Sequence, residues 1–233
     1  MSSSAPKPAK SAPKLASGKK RDQTPREEVA NAVTHGVAFV LSIIGLVILV
    51  VSARAQTDAI GVASVAIYGS SLVLLYLAST LYHSVTSIPA KATLRVFDHT
   101  AIFMLIAGSY TPLTLIAMRG LWGWVLFGVI WSLAIFGIVG KLFAFGRFKR
   151  ASLYLYVGMG WAGVLAIKPL LAVVPGVGLA LIGISGLAYT LGVYFYVKEG
   201  RRYYHAIWHL FVMTASMLHY FAVLFYVLPS GSQ

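Results

Sequence analysis

Cysteine is absent from the 233 residues, and only six residues are acidic. Without cysteine the chain forms no disulfide, no thiolate metal site and no cysteine nucleophile. Charged residues make up 11% of the sequence, whereas a soluble domain carries roughly a quarter. The formal charge of +13 does not indicate a nucleic-acid surface, because most basic residues lie in the amino-terminal segment or in short gaps between apolar runs. This distribution is typical of a polytopic membrane protein.

The amino-terminal segment, residues 1–25, consists mainly of Ser, Ala, Pro and Lys. Such a segment buries too little apolar surface to offset the entropy lost on ordering, so we predict a disordered basic tail. The tail is expected to be solvated, with contact to anionic lipid headgroups as the alternative. Residues 26–233 form the second predicted unit, a transmembrane domain. At its start Thr24, Pro25 and Glu27 have the pattern of an N-cap, a first helical residue and a capping box.

Apolar runs of about twenty residues follow, each long enough to cross roughly 30 Å of hydrocarbon. We predict an all-α bundle of seven transmembrane helices. The predicted helices lie at 32–53, 59–83, 98–118, 121–141, 151–171, 176–197 and 204–228. Because the gaps between them are short, consecutive helices are expected to be antiparallel.

The basic residues predict the orientation of this bundle. Sixteen of the nineteen Lys and Arg residues fall on one side, and Arg54, Arg119 and Lys168 fall on the other. Since basic loops accumulate in the cytoplasm, we predict a cytoplasmic N-terminus and a C-terminus outside. Such a chain needs an odd number of spans, and seven satisfies this. We expect a multi-pass protein of the cell membrane.

Ionisable side chains are costly in hydrocarbon, so each one inside a span needs a reason to be there. Five of the six histidines, and the one carboxylate predicted inside the membrane, Asp98, share a layer near the cytoplasmic side. These histidines are His35, His83, His99, His205 and His209. The sixth, His219, lies deeper. His99 and His219 are interpreted as ordinary hydrogen-bonding residues.

Two of these histidines have the spacing of metal ligands. His205 and His209 are four residues apart, which places them on one helical face about 6 Å apart, as in the H-E-x-x-H zinc proteins. His83 lies at the same predicted depth and is the natural third ligand. Three neutral imidazoles and a water form the open tetrahedral site of a catalytic zinc, although imidazole also suits copper, nickel and iron.

Other polar residues near this layer have simpler interpretations. Glu27, Asn31 and His35 form an i, i+4, i+8 stripe on the first helix. This stripe is either a polar seam facing the bundle or a set of groups that support the metal. Asp98 could cap the third helix, which is predicted to begin there, because a helix N-terminus favours negative charge.

Five residues together resemble the motif set of the hemolysin III proteins, which belong with the progestin and adipoQ receptor family that includes the adiponectin receptors. They are Ser79 and His83 in the second span, Asp98 in the third, and His205 and His209 in the seventh. The stretches EEVANAVTHG and DHTAIFMLIAGSYTP also resemble hemolysin III segments. The resemblance covers about residues 26–228. It implies a seven-helix fold and a zinc ion bound by the three histidines.

The resemblance also implies an activity. In the family the aspartate matched by Asp98 contacts the zinc-bound water, and the serine matched by Ser79 lies one turn before the first ligand. The wider superfamily includes alkaline ceramidases, so hydrolysis of a lipid amide or ester at the inner leaflet is implied, with membrane lipids as substrate or ligand. A zinc-clamped sensor without turnover is the alternative, because the family contains receptors. A pore-forming cytolysin is a third hypothesis, disfavoured because a secreted toxin must be soluble before it inserts.

Overall fold

A computed structural model describes residues 23–232, and these residues are almost entirely helical, with no β-strand among them. The helices are α1 (Pro25–Gln56), α2 (Ala59–Ser84), α3 (Ile88–Pro112), α4 (Leu121–Ala144), α5 (Lys149–Trp161), α6 (Ile167–Val173), α7 (Gly176–Val197) and α8 (Tyr204–Ala222). A π-helical turn, Leu113–Ala117, extends α3, and a 3₁₀ turn, Ala162–Ala166, joins α5 to α6. Within the described residues, seven helical segments are long and apolar enough to span a membrane, with α5 and α6 forming one of them. The prediction of a seven-helix membrane fold is therefore confirmed.

The first helix begins where its capping pattern predicts. Pro25 is the first helical residue, and the Glu27 amide donates to Thr24 Oγ1 at 3.4 Å. In return, the Thr24 amide donates to Glu27 Oε2 at 2.9 Å, which completes the capping box. Residues 1–22 of the predicted tail lie outside the described residues. The cytoplasmic position of the N-terminus stays a prediction.

The third span differs from its predicted bounds, because α3 begins at Ile88 rather than at residue 98. Ser87 has the extended backbone of an N-cap, and Pro89 follows in the first turn, where its fixed φ favours helix initiation. Pro89, Lys91 and Arg95 interrupt the apolar residues in the early turns of α3, so hydropathy alone detects only the later, uninterrupted part. Asp98 consequently lies well inside the helix, and its interpretation as an N-cap is wrong.

The same helix is the centre of the bundle. In α3 and its π-helical extension, 78% of the most apolar window is buried, against 50% or less in every other span of the described chain. By contrast, α1, α4 and α7 expose many large apolar side chains, such as Val47, Val129 and Leu191. A helix that is apolar on its outer face suits contact with lipid rather than water. The polar groups of the protein are therefore gathered around α3 and its neighbours.

One end of the bundle is cross-linked by polar contacts, and we term it the N-terminal face. It holds the start of α1, the end of α2 and the start of α8. Lys91 Nζ lies 3.0 Å from a carboxylate oxygen of Glu28, and the Tyr203 amide donates to Glu27 Oε1 at 2.9 Å. These contacts attach α1 to the start of α3 and to the residue that precedes α8.

The opposite face carries a separate ion pair. Asp58 caps α2 by accepting from the Gly61 amide at 3.0 Å, and Arg119 Nη2 donates to the same oxygen at 2.6 Å. This hydrogen bond from Arg119 holds the pKa of Asp58 below its usual value. Because the pair is exposed, its contribution to stability is expected to be small.

A close approach between α4 and the π-helical turn predicts a large difference between two glycines. A Cβ on Gly123 would overlap the carbonyl oxygens of Thr114 and Met118, which are backbone atoms and cannot rotate away. No described heavy atom lies within 4 Å of a Cβ on Gly128, in the same helix. We expect Gly123→Ala to lower the free energy of unfolding by about 1–3 kcal/mol, and Gly128→Ala to leave it unchanged or raise it by up to about 1 kcal/mol, because Ala favours a helix more than Gly does. Thermal unfolding of both variants in detergent measures this; equal midpoints would contradict it.

Candidate metal centre

The three histidines predicted as ligands meet at the N-terminal face. His83 comes from the last turn of α2, and His205 and His209 come from the first two turns of α8. One ligand atom from each residue lies within 4.8 Å of the other two. Their ring centroids are 4.7 to 5.1 Å apart, and at most 9% of each residue is exposed. Residues more than one hundred positions apart thus form one buried cluster.

Hydrogen bonds fix the tautomers of two of these rings. His83 Nδ1 lies 2.7 Å from Glu28 Oε2, and His209 Nδ1 lies 3.3 Å from the Asn31 carbonyl oxygen and 3.2 Å from Thr34 Oγ1. An ionised carboxylate and a carbonyl only accept hydrogen bonds, so each Nδ1 carries the proton. The lone pair of each ring is then on Nε2, which is the atom available for coordination.

The third ring has a similar neighbour with looser geometry. His205 Nδ1 lies 3.3 Å from Glu199 Oε2, close enough for an ion pair but without the angle of a hydrogen bond. Glu199 also faces Lys149, whose Nζ is 3.9 Å from its other carboxylate oxygen. A carboxylate therefore stands behind His205 as one does behind His83. Carboxylates in this position commonly orient histidine ligands.

The cluster could hold a metal ion. His83 Nε2 is buried and has no hydrogen-bond partner among the described residues, which is costly unless another species binds it. Zn–N bonds of about 2.0–2.1 Å place tetrahedral ligand atoms roughly 3.4 Å apart. The three ligand atoms lie within 4.8 Å of one another, which is the scale that a single ion requires. The donor set is three imidazoles, which suits zinc.

Asp98 and Ser79 lie on the wall of a cavity of about 160 Å³ that also contacts His205 and His209. The cavity extends along α8 as far as His219, ten residues and therefore roughly 15 Å beyond His209. Between these ends its walls are largely apolar. They include Leu75, Ile102, Leu105, Ile182 and Val212. An apolar chamber thus ends in a polar wall that carries two of the three candidate ligands.

The stripe on α1 faces this cluster. Glu27, Asn31 and His35 are at most 4% exposed. The His35 ring stacks on His209 with a centroid separation of 3.5 Å and an interplanar angle of 8°. Asn31 supplies the carbonyl that holds the same ring. Glu27 joins the start of α8 through the Tyr203 amide. The stripe therefore forms a polar seam beside the candidate ligands.

The two remaining histidines lie outside the metal cluster. His99 Nδ1 is 2.8 Å from the Arg95 carbonyl oxygen, one turn earlier in α3. His219 Nε2 is 3.2 Å from the Ser109 carbonyl oxygen. Each imidazole therefore hydrogen-bonds a backbone carbonyl, in agreement with their interpretation as hydrogen-bonding residues.

Sequence reasoning missed two carboxylates of the site, Glu28 and Glu199. Both lie outside the predicted apolar runs, where acidic residues are ordinarily solvated. One signal was available, because four of the chain's six acidic residues are at the N-terminal face within the described chain: Glu27, Glu28, Asp98 and Glu199. In a chain with so few acids, that concentration indicates a function.

Comparison with known proteins identifies the family. The family model described as Haemolysin-III related matches residues 23–220. This chain belongs to the haemolysin III family. Hemolysin-3 of Bacillus cereus is 46% identical over 89% of this chain and 94% of its own length. The Hemolysin-3 homolog of Bacillus subtilis (strain 168) is 44% identical over 87% of this chain and 95% of its own length.

The similarity extends to animal proteins of the progestin and adipoQ receptor group. The human monocyte to macrophage differentiation factor is 31% identical over 88% of this chain and 86% of its own length. The haemolysin III match includes His83, Asp98, His205 and His209. The resemblance inferred from the motif set is therefore confirmed, and the match covers the helical domain up to residue 220, two residues before α8 ends.

Proposed function

We propose that this haemolysin III protein is a zinc-dependent hydrolase of the membrane, acting on lipid amide or ester bonds and thereby affecting membrane homeostasis. The observation that carries the proposal is the shared cavity wall. Two candidate ligands, His205 and His209, border the same chamber as Asp98 and Ser79. A metal cluster that bordered no cavity would favour a purely structural role instead.

The proposed cofactor is zinc, held by the imidazoles of His83, His205 and His209, with Nε2 as the donor atom of His83 and of His209. Held by these three imidazoles, zinc would supply Lewis-acid chemistry, making a water more acidic, with a pKa of about 7, and polarising a carbonyl group. The chain supplies no thiolate that would favour a closed structural site. The tautomers of the rings agree with coordination through Nε2, because Nδ1 of His83 and of His209 each has a hydrogen-bond acceptor beside it.

Asp98 is the proposed general base. Its carboxyl group lines the chamber beside His205, where it can take a proton from the attacking water and later give it to the leaving amine or alcohol. Ser79 lies on the same wall, and its side-chain oxygen is buried. We assign Ser79 the role of orienting the water or donating to the developing oxyanion.

The chamber favours a lipid as substrate. Its apolar walls suit a hydrocarbon chain, and its polar end lies at the N-terminal face, where the amide or ester of a membrane lipid would be found. Trp161 of α5, which is 38% exposed, and Thr190 of α7 both line the chamber and hydrogen-bond at 3.0 Å. Trp161 and Thr190 lie at the outer surface between α5 and α7, so a lipid could enter the chamber from the side of the bundle.

The test is a comparison of zinc-loaded and metal-stripped protein on a panel of ceramides, N-acyl amines and ester lipids in mixed micelles. The proposal expects release of free fatty acid from at least one lipid class by the zinc-loaded protein, loss on stripping and recovery on adding zinc. Equal fatty-acid release by the loaded and stripped protein would contradict a zinc-dependent hydrolase.

A second candidate function is a zinc clamp that regulates without turnover. It is favoured by the origin of the ligands, since His83 on α2 and the two ligands on α8 would be cross-linked by one ion. The clamp predicts that stripping zinc lowers the unfolding temperature strongly, while no lipid on the panel is hydrolysed by the loaded protein.

The pore-forming activity suggested by the names of the bacterial relatives is tested by erythrocyte lysis with the purified chain.

A further inference from the structure

Glu28 makes two strong contacts, one with each carboxylate oxygen. Oε2 lies 2.7 Å from Nδ1 of His83, and Oε1 lies 3.0 Å from Nζ of Lys91. The Glu28 side chain is 22% exposed, so both contacts are partly shielded from water. Charge-assisted hydrogen bonds of this length are stronger than neutral ones. Glu28 therefore bridges a candidate metal ligand and a basic residue of the following helix.

Lys91 is itself held in place. Its ammonium donates to the Tyr82 carbonyl at 3.2 Å and to the Val85 carbonyl at 3.5 Å. It also lies 4.9 Å from the centre of the Tyr82 ring, a favourable cation–π distance. These carbonyls end α2, the helix that carries His83. The carboxylate of Glu28 is thus fixed relative to the same helical turn whose histidine it contacts.

The ordinary role of an acidic residue at a helix start does not account for this arrangement. Negative charge in the first turn stabilises a helix, and Glu27 fulfils that role through the capping box. The Glu28 carboxylate instead contacts the end of α2 and the start of α3. Its position is therefore explained by its partners outside α1.

We infer that Glu28 is a positioning residue for the metal centre: it accepts a hydrogen bond from the Nδ1–H of His83 and so directs Nε2 of that ring toward the ion. This inference rests on the proposed zinc site. Without Glu28, His83 could rotate or adopt the other tautomer, because the other side chain that contacts its Nδ1 within the described chain is Asn31, whose amide nitrogen at 3.4 Å is a donor. Removing a carboxylate behind a histidine ligand typically weakens metal affinity by about 10–100-fold.

The test measures zinc affinity by chelator competition in full-length protein in detergent. Glu28→Ala should weaken binding by about 10–100-fold, and Glu28→Gln, which keeps an oxygen acceptor, should recover part of that loss. Asp58→Asn is the matched control, because it neutralises an ion-paired carboxylate at the opposite face. Its zinc affinity should equal that of the unaltered protein.

A spectroscopic measurement separates positioning from general destabilisation. The Co²⁺-loaded Glu28→Ala protein should have altered visible absorption bands, while the Asp58→Asn spectrum should match the unaltered one. The inference is wrong if Glu28→Ala binds zinc with normal affinity. It is also wrong if Glu28→Ala binds zinc weakly but its Co²⁺ bands are unchanged and its metal-free form unfolds at a lower temperature, because the weaker binding then comes from general destabilisation. If the unaltered chain binds no zinc, the proposed function itself has failed.

Discussion

Replacing His205 and His209 together with Ala is expected to remove bound zinc entirely, from about one ion per chain to background. Both ligands leave the cluster, and one imidazole is too few to retain the ion. The single variant His83→Ala should give the same loss, because it removes the ligand contributed by α2. Elemental analysis of protein purified in detergent without added chelator measures the zinc content directly.

His219→Ala is the matched control for this loss. It removes a buried histidine from the same helix, ten residues beyond His209, where the imidazole contacts the Ser109 carbonyl and not the cluster. Its zinc content should equal that of the unaltered protein. Equal zinc in His83→Ala and in the unaltered chain would show that the ion, if present, binds elsewhere. An excess of copper, nickel or iron over zinc would change the proposed metal and leave the ligand set intact.

Asp98→Asn is expected to reduce lipid hydrolysis by about 10²–10⁴-fold while zinc remains bound. The amide has nearly the same shape as the carboxylate but cannot accept the proton of the attacking water, and general bases typically contribute a factor of this size. Because Asp98 is not among the three candidate ligands, zinc content should be unchanged. Initial rates of fatty-acid release, on the lipid class identified with the panel, measure the effect.

The comparison with Asp58→Asn identifies the cause of that loss. Asp58 lies at the opposite face, where it pairs with Arg119, so its amide variant should retain the full hydrolytic rate. Full activity of Asp98→Asn would overturn the general-base assignment. Two results together would instead support the zinc clamp. Loss of zinc would lower the unfolding temperature, and the Asp98→Asn protein would fully restore the membrane phenotype of a deletion strain.

Local pattern was enough to predict most of the fold. Long apolar runs separated by short polar gaps predicted the seven spans, because hydrocarbon thickness and helical rise determine span length. The capping pattern at Thr24, Pro25 and Glu27 predicted the first residue of α1, since capping involves neighbours in sequence. The start of α3 was wrong by ten residues. Pro89, Lys91 and Arg95 interrupt its first turns, and hydropathy does not distinguish such a mixed helix from a loop.

The candidate site divides in the same way. The spacing of His205 and His209 placed two imidazoles on one face, because four residues make about one helical turn. The predicted depth added His83 as the third ligand, and the family resemblance then implied roles for Asp98 and Ser79. Neither kind of reasoning identified Glu28 or Glu199. Their contacts depend on which helix ends are neighbours in space.

The sequence by itself determined the class of the protein, the number of its spans and the pair of histidines on α8, since each follows from the chemistry of residues close together in the chain. Only the tertiary structure decided how His83 meets that pair, which carboxylates stand behind the rings, and that Asp98 lines a cavity instead of capping a helix. These features arise where α1, α2, α3 and α8 converge. These contacts join residues up to 178 positions apart, and local sequence pattern does not encode the packing that brings such residues together.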